Sequence, residues 1–447
     1  MKHDLRALAA VAGLALCGSV SAAGMATHAL MADVGREALP DGVMKTILTQ
    51  HRPSLLAGAI HPDGGYGSGA VFPEDREMAE RAHWEDFNDA FIAHLRDIGC
   101  AGELRNVPLP RQPYGLLDLN ALSDRCGKLI AFAFGSAAHG LTDETWDSLF
   151  EPVVRERDLA EPTASLVQPR GHAHGPSCRN LFGPPGDAAR LRRALQRGDQ
   201  AAVQRALSFG PVPGIEYAMD MVAIVERNLL LDATLVAPPA ADLAAVHARN
   251  RPELGITAAQ VRRGFLVSRA AVLGERLIAP IEAPRMRQVM PWAASNYHMA
   301  SGGVTDSGRM VARLYEHLWA KLTADAPLPI RVIGVHPENG EHEVPVAADA
   351  AEARIRAFTG QSAPEAAVEQ PGVICLFDEA GNRVPGETRS GIYDPEWGHV
   401  IDFRPDADLL PDHRYTVVVT DRLVDHFGLT PESAHSWSFR TAATPGS

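Results

Sequence analysis

Apolar residues recur at helical spacing from about Ala26 to Leu322, which predicts an all-α domain of several helices. In "AHWEDFNDAFIAHLRDIG" the large apolar side chains share one face, and Gly99 follows the last of them as a helix-ending residue. Further helices are predicted in "DAARLRRALQRGDQAAVQRALSFG", as a hairpin turning near Gly198, and in "EYAMDMVAIVERNLLL" and "GRMVARLYEHLWAKL". In the segment "AHWEDFNDAFIAHLRDIG" the predicted apolar face consists of Trp84, Phe87, Phe91, Ile92, Leu95 and Ile98.

The pattern changes after "TADAPLP" to short runs rich in Val, Ile, Phe and Tyr, separated by Gly, Pro and Asn. These runs are "IRVIGVHPENG", "VICLFDEAGN", "HVIDFRP", "RYTVVVTDRLVD" and "SWSFRTA", and they predict an all-β sandwich over residues 328–443. The segments "DFRPDADLLPDHRYTVVV" and "SWSFRTA" resemble the bacterial Ig-like module of the S-layer type. Such modules usually act as spacers or adhesion domains, so no chemistry is assigned to this part of the chain.

The first residues, "MKHDLRALAAVAGLALCGSVSAAG", combine a basic start, an apolar run and small residues before Gly24. This pattern predicts an export signal over residues 1–23 and a secreted or periplasmic mature protein, with the helical domain spanning residues 24–324. A lipoprotein signal acylated at Cys17 is the alternative, but Leu16 is large for the position before such a cysteine. No later segment has the uninterrupted apolar length of a membrane span.

Composition narrows the range of partners. The formal net charge of -13 argues against nucleic acid held by charge, and it weakens an electrostatic anchor on anionic membranes.

After signal removal four cysteines remain, namely Cys100, Cys126, Cys178 and Cys375, none of them in a CxxC pair. An exported chain with an even number of cysteines permits disulfides, and Cys100 with Cys126 is the closest pair in sequence, although the connectivity stays open.

The candidate chemistry begins in "KLIAFAFGSAAHGLTDETWD", where an apolar helix ends on polar residues. His139, Asp143 and Asp147 follow one another at four-residue steps, which places them in a row on one helix face. Each step rotates by about 40°, so the row drifts and could serve two neighbouring metal ions with Asp143 between them. The alternative interpretation is a helix end with a capping histidine and solvated acids.

Polar residues of the same kind punctuate the rest of the helical domain. They are His28 in "GMATHALMADVG", Asp63 in "LLAGAIHPDGGY", His83 in "AHWEDF", and the pair Glu216 and Asp220 in "PGIEYAMDMV". Together with the row above they form a set of imidazole and carboxylate ligands without thiolate, which suits hydrolytic zinc. His172 and His174 in "RGHAHG" could also bind metal, but they lie in a segment rich in Pro and Gly, for which a solvated loop is the preferred interpretation.

The same segments resemble, in order, the motifs of the zinc-dependent phospholipase C family. The likeness runs from about Gly24 to Val225 and is greatest to the catalytic domain of the glycosylphosphatidylinositol-specific phospholipases D, with single-strand-specific zinc nucleases as more distant relatives. It implies an all-α fold and a three-zinc site that hydrolyses phosphodiesters. By carry-over, the positions that match metal ligands are His28, Asp63, His83, His139, Asp143, Glu216 and Asp220.

Two positions depart from the family pattern. Asp147 stands where a histidine is usual, and Glu216 with Asp220 stands where a histidine often accompanies an acid. One ion site is therefore expected to carry only carboxylates, which favours a harder ion such as Ca, Mg or Mn over zinc. Either the third ion is replaced or lost, or a histidine from elsewhere completes its site. The mature amino terminus, close to His28, is a further candidate ligand.

The expected activity is metal-assisted phosphodiester hydrolysis, with Asp63 as the candidate catalytic group that orients the attacking water. Phospholipids or other phosphodiesters are the expected substrates, with peripheral contact to a membrane or cell surface. The alternative is a non-catalytic surface or adhesion protein with a structural metal site. Within the enzyme class a zinc nuclease or phosphatase is open, but the acidic charge and the lack of a basic-aromatic stripe count against a nuclease.

Overall fold

The structure is a computed structural model that describes residues 24–69, 71–107, 122–159, 214–227, 235–324, 327–348, 350–390 and 397–443. The predicted export signal, the loop with His172 and His174, Cys178 and the predicted helical hairpin ending near Gly210 lie outside these ranges. The chain divides into two compact units, with the second beginning at Ala324. Among the described residues, no helix has both the length and the apolarity needed to cross a membrane.

The first unit is built from helices, as the periodicity predicts. The helices in the described residues are α1 (Met25–Ala38), α2 (Val43–Gln50), α3 (Arg52–Ala59), α4 (His61–Gly69), α5 (Arg76–Ala82), α6 (Glu85–Asp97), α7 (Cys100–Arg105), α8 (Asp124–Thr145), α9 (Glu151–Arg157), α10 (Ile215–Glu226), α11 (Ala240–Asn250), α12 (Ala258–Val289), α13 (Pro291–Asn296) and α14 (Val304–Thr323). A single π-helical turn, Trp146–Phe150, joins α8 to α9.

Helix α8 lies at the centre of this unit. Ser123 caps its first turn, because the Ser123 hydroxyl accepts a hydrogen bond from the backbone N–H of Cys126 at 3.3 Å. Almost every residue after Lys128 is buried. A Cβ at Gly135 would overlap the carbonyl oxygen of Leu55, so glycine lets α8 approach the backbone of α3 directly. A disulfide between Cys100 and Cys126, the pair closest in sequence, ties α7 to the start of α8.

The amphipathic pattern of the first predicted helix is confirmed. The apolar face of α6 is buried, Ile98 is half-buried, and Gly99 follows with a φ of 88° in the left-handed region that favours glycine.

Helix α12 is longer than local preferences predict, since Pro280 and Pro284 both lie inside it. Thr257 and Gln260 form a capping box at its start. Both prolines are exposed, so carbonyl groups left without a helical partner can bond to water. The buried face of α12 packs on α4 and α10.

The second unit consists of two antiparallel four-stranded sheets. Their strands are β1 (Val332–His336), β2 (Ile355–Thr359), β3 (Ile374–Phe377), β4 (Arg383–Val384), β5 (Gly386–Ser390), β6 (Val400–Pro405), β7 (Arg414–Val419) and β8 (His435–Arg440), with a short helix α15 (Glu365–Val368). The strand orders are β1-β2-β6-β5 and β4-β3-β7-β8. Each of the five apolar runs singled out in the sequence contains a strand, and β2, β4 and β5 are additional.

The two sheets share one apolar core. Phe403 of the first sheet belongs to the same buried cluster as Leu376, Val417 and Trp437 of the second. Val417 is directly opposite Trp437 in the register of β7 and β8. The predicted β-sandwich is therefore confirmed as two antiparallel sheets that bury their inner faces against each other.

The helical core also holds two histidines among aromatic rings. His61 and His247 are buried with ring centroids 6.2 Å apart, and the rings of Phe87 and Phe265 lie 4.7 Å from His247 and 5.6 Å from His61, respectively. Burial, with the neighbouring His61, lowers the pKa of His247 to about 3. Burial likewise lowers the pKa of His61 to about 4. Both imidazoles are therefore neutral in the folded protein near neutral pH.

This burial makes stability sensitive to acid through His247. Above pH 6.5 both folded and unfolded states carry a neutral imidazole, whereas between about pH 6.5 and about 3 only the unfolded chain takes up the proton. The free energy of unfolding should therefore fall with decreasing pH in this window, by at most about 1.4 kcal/mol per pH unit from this group. His247→Phe should remove that slope.

The measurement is urea denaturation of wild type and His247→Phe at several pH values. The two curves should run parallel above pH 6.5 and diverge below it. A constant difference across the whole range would show that His247 is protonated equally in both states.

Candidate functional site

Helix α8 carries His139 and Asp143 into the middle of the helical unit. A Cβ at Gly140 would overlap the carbonyl oxygen of His83, so glycine allows α8 to pass directly over the turn that holds His83. His28 comes from α1 and Asp63 from the first turn of α4. All five side chains are buried, with exposures between 0% and 5%. The structure thus brings together five of the predicted ligands from four different segments.

Each of the three imidazoles is oriented through its Nδ1 atom. Nδ1 of His139 lies 2.6 Å from the carbonyl oxygen of Ala59, and Nδ1 of His83 lies 2.8 Å from that of Ala79. A carbonyl accepts only, so both Nδ1 atoms carry the hydrogen and donate it. Nδ1 of His28 lies 2.6 Å from the hydroxyl of Thr142. These partners fix the ring orientations, as is usual for imidazoles that bind metal.

The Nε2 atoms of the same rings converge. Nε2 of His139 lies 3.1 Å from Nε2 of His83. In the neutral tautomers fixed by Ala59 and Ala79, both of these nitrogens present lone pairs. Two lone pairs at this separation repel each other, and a cation between them, either a proton or a metal ion, relieves the repulsion. The geometry therefore favours binding of a cation.

Carboxylates complete the cluster. Asp143 places Oδ1 3.1 Å from Nε2 of His28, and Oδ2 3.5 Å from Nε2 of His83 and 3.4 Å from Nε2 of His139. Oδ1 of Asp63 lies 3.7 Å from Nε2 of His139. Asp143 thus contacts all three histidines of the cluster, and His139 lies four residues before it on the same helix face.

Two overlapping groups of three among the described residues have ligand atoms within 4.8 Å of one another. One is His28, His139 and Asp143, and the other is Asp63, His83 and His139. Such sets of imidazole and carboxylate fit a divalent transition metal. Because His139 has only Nε2 available, it can bind one ion at a time, so a second ion would depend on the remaining oxygens of Asp143 and its neighbours.

The electrostatics of the cluster follow from burial and from these contacts. Burial opposes protonation of His28, but the carboxylate of Asp143 outweighs it and raises the pKa of His28. Burial and the nearby His28 lower the pKa of His139 well below its ordinary value. Burial would raise the pKa of Asp143, but His139, His28 and His83 hold it well below its usual range. Asp143 is therefore an ionised carboxylate that contacts three imidazoles, of which His28 has a raised pKa and His139 a lowered one.

Asp147 lies in the π-helical turn and belongs to a different cluster. Burial and the adjacent Glu151, which is hydrogen-bonded to it, raise the pKa of Asp147 well above its ordinary value. Burial and the charge of Glu151 likewise raise the pKa of Glu216 to about 8. Arg155 forms an ion pair with Glu151 from the next turn of α9. Asp147 therefore lies among carboxylates, and its part in a second metal site stays a prediction.

Asp220 lies at the amino end of α1. Its Oδ2 accepts a hydrogen bond from the backbone N–H of Ala26 at 3.1 Å, and its Oδ1 accepts one from the N–H of Thr27 at 2.8 Å and one from the Thr27 hydroxyl at 2.5 Å. It therefore caps the amino end of α1, where a carboxylate is favoured by the helix dipole. In this structure its oxygens hold the helix that carries His28, and its role as a metal ligand stays a prediction.

The sequence analysis did not identify four residues that contact the predicted ligands. Ala59 and Ala79 contribute only backbone carbonyls, so no side-chain pattern identifies them. Thr142 is three residues after His139 and also donates its hydroxyl hydrogen to the His139 carbonyl at 2.9 Å. Glu151 could have been found, because it continues the four-residue spacing of His139, Asp143 and Asp147.

The close approach at Gly140 gives a testable consequence. Gly140→Ala should destabilise the protein by about 1–3 kcal/mol, because its Cβ overlaps the His83 backbone and must push α8 and His83 apart. Gly274→Ala, in the interior of α12 with no atom near its Cβ position, is the matched control and should stabilise by about 0.5–1 kcal/mol.

Thermal unfolding of both variants with and without added zinc provides the measurement. The Gly140→Ala variant should also lose most of the stabilisation that zinc gives to wild type, since the His83 and His139 nitrogens separate. If zinc raises its melting temperature as much as that of wild type, the distance between these two rings is not critical.

Comparisons with known proteins assign the second unit and give a partial match for the rest. A segment of 143 residues is 30% identical to phosphatidylinositol-glycan-specific phospholipase D of Rattus norvegicus, covering 30% of this chain and 14% of that protein. The corresponding protein of Bos taurus is 29% identical over 141 residues, with the same coverages. The match therefore spans about one seventh of the length of these curated relatives.

Among solved structures, the surface layer protein SbsC, domains 1–6, matches at 11% identity and a TM-score of 0.21, covering 78% of this chain and 46% of that chain. This score is too low to support an inference about fold. Residues 326–441 match the family model described as the bacterial Ig-like domain. Together with the two packed antiparallel sheets, this match identifies the second unit as a bacterial Ig-like domain.

Proposed function

We propose that the helical unit is a metal-dependent hydrolase of phosphodiesters, with phospholipids as the substrate class and zinc as the preferred ion. The observation that carries the proposal is the convergence of Nε2 of His83 and His139 at 3.1 Å, with both Nδ1 atoms committed to backbone carbonyls. The partial similarity to phosphatidylinositol-glycan-specific phospholipases D supports a phosphodiester as the bond that is cleaved. We place the protein outside the cell or at its surface, in keeping with its Ig-like domain and its disulfide.

The residues of the site have different roles in the proposed reaction. His28, His83, His139 and Asp143 would hold the ion, with Ala59 and Ala79 keeping the two rings in place. The chemistry that a divalent ion would supply when bound there is a lowered pKa of a nearby water and compensation of charge on the phosphate oxygens. Asp63 lies at the edge of the cluster, 3.7 Å from Nε2 of His139, and we assign it the task of orienting the attacking water.

A structural metal site is the second candidate, because one observation favours it. The five side chains of the histidine site, His28, Asp63, His83, His139 and Asp143, are all buried, with no more than 5% exposure. A substrate phosphate must reach the ion, whereas a structural ion needs no opening. In this alternative the ion only holds α1, α4 and α8 together, and the protein serves as a surface or adhesion protein.

Replacing His139 separates the binding of metal from the chemistry. Wild type should retain at least one divalent ion per chain after dialysis, and His139→Ala should lose it, because His139 belongs to both ligand groups. Hydrolysis of bis(p-nitrophenyl) phosphate should fall by about a hundredfold or more. His247→Phe removes a buried histidine outside the cluster and should keep both the ion and the activity.

The measurements are elemental analysis of each purified protein and initial rates of phosphodiester hydrolysis. Ion loss in His139→Ala without any activity in wild type would favour the structural site. The absence of a retained ion in wild type would falsify both candidates.

The carboxylate cluster gives an independent prediction. If Asp147 and Glu216 hold a further ion near Glu151, binding must displace protons, since burial and Glu151 raise the pKa of both groups. Occupancy of this site should therefore rise with pH through about 8, the pKa of Glu216. Asp147→His should shift this site towards zinc, whereas Asp147→Asn should lose one ion and leave the histidine site occupied.

Titration of the dialysed protein with calcium, manganese and zinc at pH 6 and pH 9 measures the number of bound ions and its dependence on pH. Equal ion counts in wild type, Asp147→His and Asp147→Asn at both pH values would remove Asp147 from any metal site. Asp147→Asn retains the size of the side chain, so an altered count reports ligation rather than a change in packing.

A further inference from the structure

The outer face of α12 carries a ridge of exposed apolar side chains. Its members are Leu266, Leu273, Leu277 and Ile281, with exposures of 68%, 53%, 78% and 74%. At about 100° and 1.5 Å per residue, they lie within a narrow arc and extend over about 22 Å of the helix. Single exposed leucines are ordinary, but four large apolar side chains along one face of a helix are typical of an interaction surface.

Arginines border this ridge on the same face. Arg262 lies one turn before Leu266, and Arg269 lies between Leu266 and Leu273; both are exposed, and neither forms an ion pair with any residue that the structure describes. The exposed positions of α12 include no acid, because Glu275 is buried and Glu282 is half-buried beside Arg285 at 3.2 Å. The ridge is therefore apolar and basic, in a chain whose formal net charge is -13.

The loop before α5 extends the same surface near the start of α12. Val71 and Phe72 are 50% and 39% exposed, and the guanidinium of Arg263 stacks 3.8 Å from the centre of the Phe72 ring. Glu74 is the nearby acid, and it pairs with Arg263 at 3.3 Å, as does Asp75 at 2.6 Å. These acids are thus engaged by Arg263 and leave Arg262 and Arg269 uncompensated.

We propose that this ridge docks the helical unit onto a lipid surface that bears anionic head groups. A helix that is apolar along one stripe and flanked by arginine lies in the interfacial plane, with its leucines among the acyl chains and its guanidinium groups at the phosphates. The charge of the whole chain does not prevent this, because salt screens charges beyond about 8 Å and leaves the local arginines dominant.

The charge pattern disfavours a second copy of the chain as the occupant. A symmetric pairing of two ridges would bring the arginines of both copies to one interface, and neither ridge offers an exposed acid to pair with them. An anionic lipid surface supplies that negative charge. The proposal depends on α12 and its neighbours alone. A negative result would therefore say nothing about the chemistry of the histidine cluster.

The test is co-sedimentation of the full chain with vesicles of phosphatidylcholine, with and without phosphatidylserine. Wild type should bind the mixed vesicles more tightly than the neutral ones, and added salt should weaken that binding. The double variant Leu273→Ser with Leu277→Ser should lower the partition coefficient at least tenfold. Arg262→Gln with Arg269→Gln should lower it about fivefold per arginine on mixed vesicles and much less on neutral ones.

Met299→Ser is the matched control, because Met299 is 71% exposed but lies outside the ridge. It should bind as wild type does. No binding by wild type, or equal binding by the leucine variant, would overturn the proposal. A wild-type dimer in size-exclusion chromatography that becomes monomeric in the leucine variant would assign the ridge to a second copy instead. If wild type does not bind vesicles and the leucine variant has a lower melting temperature, the ridge instead packs against another segment of this chain.

Discussion

The helical unit is organised around the donation of two imidazole N–H groups to backbone carbonyls. Once His83 donates to Ala79 and His139 donates to Ala59, the opposite nitrogens of both rings must face each other in the buried interior. Burial of two neutral, mutually repelling rings costs free energy unless a cation and a carboxylate compensate it. Asp143 supplies the carboxylate, and the close helix packing at Gly140 sets the distance.

Helical spacing was sufficient to predict that His139 and Asp143 act together, since a four-residue step fixes their relative position before any tertiary contact forms. The association of His28, Asp63 and His83 with them came from the motif resemblance, because their spacing along the chain contains no distance information. Asp220 shows the limit of that approach. The sequence places it one helical turn after Glu216, but it does not reveal that the start of α1 needs a capping carboxylate at the same place.

Two other features depended on context that local patterns lack. Asp147 lies in the π turn Trp146–Phe150, and the four-residue spacing of an ordinary α-helix does not predict such a turn. Helix α12 runs past Pro280 and Pro284 because its opposite face is packed on neighbouring helices, and that packing outweighs the local preference of proline. In the Ig-like domain, by contrast, five strands were evident from their Val, Ile and Tyr content and turn residues, whereas β2, the polar strand β5 and the two-residue strand β4 were not.

The disulfide between Cys100 and Cys126 closes a loop whose ends are 26 residues apart, and such a crosslink stabilises a fold by about 3 kcal/mol. It lies at the amino end of α8, about two helical turns before Gly135 and further from His139. The position of the central helix is therefore secured by a covalent bond that forms only where thiols are oxidised. A chain kept among reduced thiols would have to hold the same buried imidazoles and carboxylates on a scaffold that is less stable by about that amount.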